Sequence, residues 1–287
     1  MRVLSVLARY QTQLVADGRS VFWRDQVRRH VALLDRWLTS HRRSRDVRTI
    51  GHEDLAAFLG SREATMRLDG RAKKQTSNNA LRTSMRAFFL YVHTAGHSPR
   101  NAAALVRRAK CAPPPPRAIP PDDLRRLIAT IDAAKGWTAE RDSVLFHLLA
   151  ETGIRIGSAL AARVEDLDVT HRELRLTTTK GNRPTVITLP AALCTRFRQH
   201  LHGRASGPLF QTDSGRSLGG RQVRRRMAAW LIRAGCRPAS PHALRHAFAH
   251  RVYARTGDLL RVQQALRHSS VSSTALYATS ARIGLSG

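Results

Sequence analysis

Residues 172–190 read "RELRLTTTKGNRPTVITLP". Apolar side chains alternate at Leu174 and Leu176, the chain turns at "KGNR", and it returns through Val186, Ile187 and Leu189. A period of two on either side of a Gly/Asn turn predicts a β-hairpin. The surrounding segments follow helical spacing. The expectation is therefore a mainly α fold with a small antiparallel β-sheet.

Upstream, "ERDSVLFHLLAETG" (140–153) reads as a buried helix stopped by Gly153. "PPDDLRRLIATIDA" (120–133) opens a helix with proline and acids, as the helix dipole prefers. Downstream, "GGRQVRRRMAAWLIRAG", "HALRHAFAHRVYARTG" and "DLLRVQQALRH" read as helices, with a last short one around "SSTALY". The first hundred residues are helical too. In "VFWRDQVRRHVALLDRWL", Val27, Val31, Leu34 and Leu38 form one apolar stripe. "HEDLAAFLGSRE" is a shorter helix ending near Gly60. "TSNNALRTSMRAFFLYVHTAG" is a third, with Thr76 to Asn78 as candidate N-caps and Gly96 as its stop.

"KCAPPPPRAIPPDD" (110–123) divides these regions. Each of Pro113 to Pro116 forbids helix at the residue before it. As polyproline II, residues 111–118 span roughly 25 Å as a semi-rigid spacer. The expected domains are thus 1–110 and 119–287, joined by a linker at 111–118. The 287 residues carry 49 Lys+Arg against 20 Asp+Glu, a net charge of +29. The charge is shared almost evenly, +14 in residues 1–110 and +15 in the remainder. A protein this basic points to a polyanion, with nucleic acid first. Two comparably basic domains on a stiff spacer suggest jaws around one duplex. Lys73, Lys74, Arg82, Arg86 and Arg183 are candidate phosphate contacts, with Arg82 and Arg86 lining one side of a helix.

Cys111, Cys194 and Cys236 are far apart and form no CxxC, so neither a disulfide framework nor a zinc ribbon is expected. No apolar run is long enough to span a membrane, the first twenty residues do not read as a signal peptide, and a cytoplasmic location is expected. No Walker A or GxGxxG loop signals a nucleotide cofactor. His246 and His250 have the i, i+4 spacing of zinc ligands, but Ala247 stands where a zinc protease has glutamate. No metal site is expected.

Several residues could carry chemistry. Arg155 sits in an apolar run just past a helix stop. It needs a carboxylate partner such as Glu151, a route to solvent, or an anion brought by a ligand. Lys180 is the only lysine after Lys135 and sits at the hairpin tip. Unlike arginine, it can release a proton near neutral pH, although a surface role is equally open. His242 and Arg245 share a helix face. Tyr253 lies eleven residues beyond His242, roughly 16 Å along the axis, too far to share a phosphate with it. Tyr277 follows a turn and another helix, so the chain can fold it back toward Arg245.

The ordered set resembles the tyrosine recombinase (phage integrase) family: Arg in "TGIRIGSAL", Lys in "KGN", "HALRH", "LRHSS", then Tyr nine residues after His268. Size and layout are closest to Xer-like or integron and transposon integrases. The resemblance implies a helical SAM-like core-binding domain followed by an α+β tyrosine-recombinase catalytic domain. It implies a site-specific recombinase, metal- and ATP-independent and typical of mobile elements, that works through a 3′-phosphotyrosyl intermediate. Its partner would be double-stranded DNA with inverted-repeat half-sites, bound by a homotetramer or together with a related recombinase. Arg155 and Arg245 would clamp the scissile phosphate, and Lys180 would protonate the leaving 5′ oxygen. His242 would assist as acid/base, His268 would hold the phosphate or orient the tyrosine, and Tyr277 would be the nucleophile. Three features depart from the family pattern: Ser158 replaces a common glutamate, Arg267 replaces a glycine, and the tail after Tyr277 is short. They leave open a second reading, a catalytically weakened DNA-binding protein that retains the fold.

Overall fold

The computed structural model describes residues 1–111, 118–176 and 184–266. The chain divides into two compact units, Met1–Pro113 and Pro114–Gly287.

The first unit is helical: α1 (Val3–Ala16), α2 (Val21–Ser40), α3 (His52–Gly60), α4 (Arg62–Thr65) and α5 (Gln75–Thr94). The α2 stripe of Val27, Val31, Leu34 and Leu38 is fully buried and packs against α1 and α5. Ser20 caps α2 by accepting from the Trp23 amide at 3.3 Å. Helix α5 starts earlier than its Thr76–Asn78 caps predict. Lys74 is the N-cap, with no side-chain capping bond, and Thr76 to Asn78 lie within the first turn. The polar side chain that matters there is the buried Asn79. Its amide pairs with the Ala109 backbone in both directions at 2.9 Å, fastening the chain before the proline run to α5. Gly96, at φ 73°, ends the helix as expected.

The second unit begins with α6 (Pro121–Asp132), α7 (Trp137–Thr152) and α8 (Ile156–Ala161). A 3₁₀ turn at Val164–Asp166 leads into β1 (Leu167–Asp168), β2 (Glu173–Leu176) and β3 (Thr185–Thr188). The unit continues through α9 (Ala191–Leu201), α10 (Gly220–Arg233), α11 (Pro241–Thr256) and α12 (Leu259–Leu266). The antiparallel sheet runs β1-β2-β3, with Leu174 opposite Ile187 and Arg175 opposite Val186. Leu174, Leu176, Ile187 and Leu189 face the core. Val186 does not, because strict alternation turns it outward beside Arg175, and it is 47% exposed. Strand β1 is too short to show a period in the sequence, and helices α8 and α9 also went unpredicted. The hairpin turn, residues 177–183, lies outside the described residues. No described helix is long and apolar enough to cross a membrane.

Helix α7 is the buried axis of this unit, with α6, α9 and α11 packed around it. Its burial extends to charge. Asp142, 1% exposed, accepts from Arg141 Nη2 at 2.9 Å, from Trp230 Nε1 at 2.7 Å and from Arg226 Nε. Arg141 also donates to the Gln211 carbonyl at 3.0 Å and lies over the Trp137 ring. One carboxylate thus joins α7 to α10. Replacing Asp142 with Ala strands two arginines and an indole without their acceptor. The expected cost is about 3–5 kcal/mol, read as a lower midpoint in urea unfolding.

A second buried polar group sets an acid limit. The His200 ring is 2% exposed, and among the described residues neither nitrogen has a hydrogen-bond partner. Burial, then the charge of Arg204, pushes its pKa from 6.5 down to about 4, and the nearby Leu209 backbone opposes the shift without completing a hydrogen bond. The folded state therefore binds this proton later than the unfolded chain does. The contribution to stability is full above about 6.5 and is lost as pH falls toward about 4. His30 carries the same sign, chiefly through burial. Urea midpoints measured from pH 7 to 4 are expected to fall, with a shallower slope for His200→Phe.

Candidate functional site

Helix α7 ends at Gly153, in the left-handed region at φ 63°. A Cβ there would meet the Phe248 ring of α11 at 2.3 Å. Glycine is thus required twice, by its torsion and by the close crossing of the two helices. The chain then buries Ile154 and extends through Arg155, the N-cap of α8. Pro241 opens α11 opposite this turn, with His242 in the first turn and Arg245 one turn later.

Arg245 is 3% exposed. Its Nη1 donates to the Gly153 carbonyl and its Nη2 to the Leu266 carbonyl at 2.7 Å. The first of these acceptors lies just past the end of α7, where helix carbonyls lack intrahelical partners and the dipole favours a cation. Nearby, Arg251 Nη2 donates to the Ala150 carbonyl in the last turn of α7. Two arginines from one helix therefore cap another.

Of the options open to Arg155, the pair with Glu151 does not form. Glu151 instead engages His147 Nδ1 at 2.6 Å, and Arg155 makes no ion pair among the described residues. His242 keeps open surface, yet crowding around its ring lowers its pKa, and the charges of Arg245 and then Arg155 lower it further. Both guanidinium groups thus act on one imidazole. The His242 ring meets the His246 ring edge to face, with centroids 4.7 Å apart. Cationic groups with no carboxylate among them form a receptor for an oxyanion.

Arg155, His242 and Arg245 are therefore brought together. Lys180, Arg183, His268 and Tyr277 lie outside the described residues, as does Arg267. In the first unit, Lys74 and Arg86 are exposed. Lys73 is partly committed, because its Nζ donates to the Glu63 and Ala64 carbonyls at 2.9 Å each. Arg82 does not share an open face with Arg86. It is half-buried, with Nη1 covered and unpartnered, because α5 packs against α1, α2 and α4. His246 and His250 find no third metal ligand among the described residues.

One basic face escaped the sequence reading. Arg221, Arg224 and Arg225 are all exposed in the first turns of α10. The dipole disfavours cations at a helix N-terminus, so their i, i+3, i+4 clustering was a readable signal for an external anion.

Residues 117–282 match the model of the phage integrase family. The tyrosine recombinase XerC of Chromobacterium violaceum is 30% identical over 94% of this chain and 88% of the relative. XerC of a Methylobacterium species is 32% identical over 78% of this chain and 71% of the relative. Among solved structures, a lambda integrase (residues 75–356) dimer bound to a COC′ core site superposes with a TM-score of 0.72 at 18% identity, covering 95% of this chain and 97% of that one. The XerH recombinase bound to difH substrate gives 0.68 at 18% identity, covering 94% and 79%. At that identity the structural likeness establishes a shared fold.

Replacing Gly153 with Ala forces a Cβ into Phe248 and strains the left-handed torsion. A loss of about 2 kcal/mol or more is expected in urea unfolding. The larger Gly153→Val should lose more.

Proposed function

The chain belongs to the phage integrase family and is a site-specific DNA recombinase of the tyrosine type, and we propose that it cleaves and rejoins strands through a 3′-phosphotyrosyl bond to Tyr277. The observation that carries this reading is the convergence of Arg155 and Arg245 on His242, with no carboxylate paired to Arg155 among the described residues. The family match extends to residue 282, so it takes in Lys180, His268 and Tyr277 in their expected order.

A phosphodiester repels nucleophiles, and attack concentrates charge on its non-bridging oxygens. Arginine forks neutralise that charge with directed donors. Arg245 is held by two backbone carbonyls, which supports a guanidinium oriented before DNA arrives. The Tyr277 oxygen attacks phosphorus, the bond to the 5′ oxygen breaks, and Lys180 gives that oxygen its proton. Free tyrosine has a pKa of about 10, so the cationic pocket must favour the phenolate. His242, whose pKa is lowered, is neutral near pH 7 and able to accept that proton. His268 holds the phosphate or orients Tyr277. A 5′ hydroxyl of a second strand reverses the step, so the linkage energy is conserved and no ATP is consumed.

The unit at residues 1–110 acts as the core-binding domain, with Lys74 and Arg86 as its open phosphate contacts, and residues 119–287 act as the catalytic domain. The partner is duplex DNA with inverted half-sites, gripped by several copies. A solved lambda integrase tetramer on a Holliday junction supports that arrangement for this chain. Ser158 and Arg267 depart from the family pattern, but the arginine convergence favours an active enzyme over a weakened binding protein.

The test uses a nicked duplex built from half-sites that the full chain selects out of a randomised pool. Wild type is expected to be trapped as a covalent adduct. Tyr277→Phe should bind equally and form none, and Arg155→Lys should slow adduct formation by roughly 10²-fold. An adduct with Tyr277→Phe would remove Tyr277 as nucleophile. Binding without an adduct in wild type would favour the weakened protein.

A further inference from the structure

Helix α11 carries His242, His246 and His250 at successive i, i+4 positions. His242 stands in the first turn with open surface, where an unsupported side chain would sample several rotamers. His246, one turn deeper and half-buried, meets it with ring centroids 4.7 Å apart and planes at 83°. That is the edge-to-face geometry aromatic pairs prefer.

We infer that His246 is a positioning residue for strand cleavage, its ring holding the His242 imidazole at the Arg155–Arg245 end of the site. This rests on the recombinase reading above and assigns the reaction one further residue. His246 does not touch the phosphate in this scheme; it acts through His242.

The charge environment suits the role. Burial, followed by the charges of His242, His250 and Arg245, pushes the His246 pKa from 6.5 down to about 4. His246 is therefore neutral near pH 7. A proton arriving at the pair goes to His242, the ring with access to the reacting strand. His242 faces Arg245 and Arg155, and their charges, after crowding around its ring, lower its own pKa too. A neutral ring steadies the imidazole without placing another fixed charge beside the two guanidinium groups. Phenylalanine at position 246 would supply the same face, whereas leucine would fill the volume without it.

The experiment uses the full chain and the nicked duplex above, with single-turnover adduct formation, DNA affinity and the NMR titration of His242 as readouts. His246→Leu is expected to slow adduct formation about fivefold, the worth of one ring pair. DNA affinity should hold and the His242 titration should shift. His246→Phe is expected to stay within about twofold of wild type. Wild-type rate and an unmoved His242 titration in His246→Leu would overturn the inference. So would a folded His246→Phe variant as slow as the leucine variant, which decides the matter even if leucine impairs folding. Failure of wild type itself to form an adduct would overturn the recombinase reading and the inference with it, and is distinguished by being present before any substitution.

Discussion

One guanidinium holds the second unit's site together. Arg245 reaches from α11 to the carbonyl just past the end of α7 and to the Leu266 carbonyl of α12. Helix ends are the natural acceptors for such a group, because their carbonyls are unsatisfied and carry the negative end of the dipole. The arrangement depends in turn on Gly153. Any side chain there would strike Phe248, moving the carbonyl that orients Arg245. A residue proposed to bind phosphate is thus also a structural cap, its guanidinium held by backbone carbonyls.

That distinction recurs through the molecule. With 20 acidic residues against 49 basic ones, the protein spends several of its carboxylates internally. Asp142 is buried among Arg141, Arg226 and Trp230; Asp35 takes Arg45 in a bidentate pair; and Asp132 collects Ser143, His147 and Arg196. Glu151, the nearest acid in sequence to Arg155, turns to His147. The acids hold arginines where the fold needs them, and among the described residues none pairs with Arg155. A site assembled this way presents positive charge that a phosphodiester can neutralise, at the cost of self-repulsion that DNA would relieve.

Histidine completes the pattern. His30, His200 and His246 are each held near pKa 4, chiefly by burial. They are neutral rings in a crowded cationic protein, and they restrict its stability in acid. His242 differs because it keeps open surface beside two arginines, and it is therefore the imidazole proposed to exchange a proton during the reaction.

The sequence alone determined what depends on neighbours along the chain. The α2 stripe, the Gly153 stop, the proline boundary and the β2–β3 hairpin follow from period and backbone chemistry, which act over a few residues. The ordered Arg, Lys, His, Arg, His and Tyr identified the family, because spacing within each motif survives even when contacts are invisible. Tertiary structure decided the rest. Val186 faces outward because pairing with Arg175 sets the register. The two-residue β1 exists only as a partner for β2. Arg82 is half-covered because three helices crowd α5. Glu151 chooses His147 over Arg155, and Arg245 finds a carbonyl 92 residues away. Such contacts are set by how helices cross and which carbonyls their ends leave open, and no local pattern encodes either.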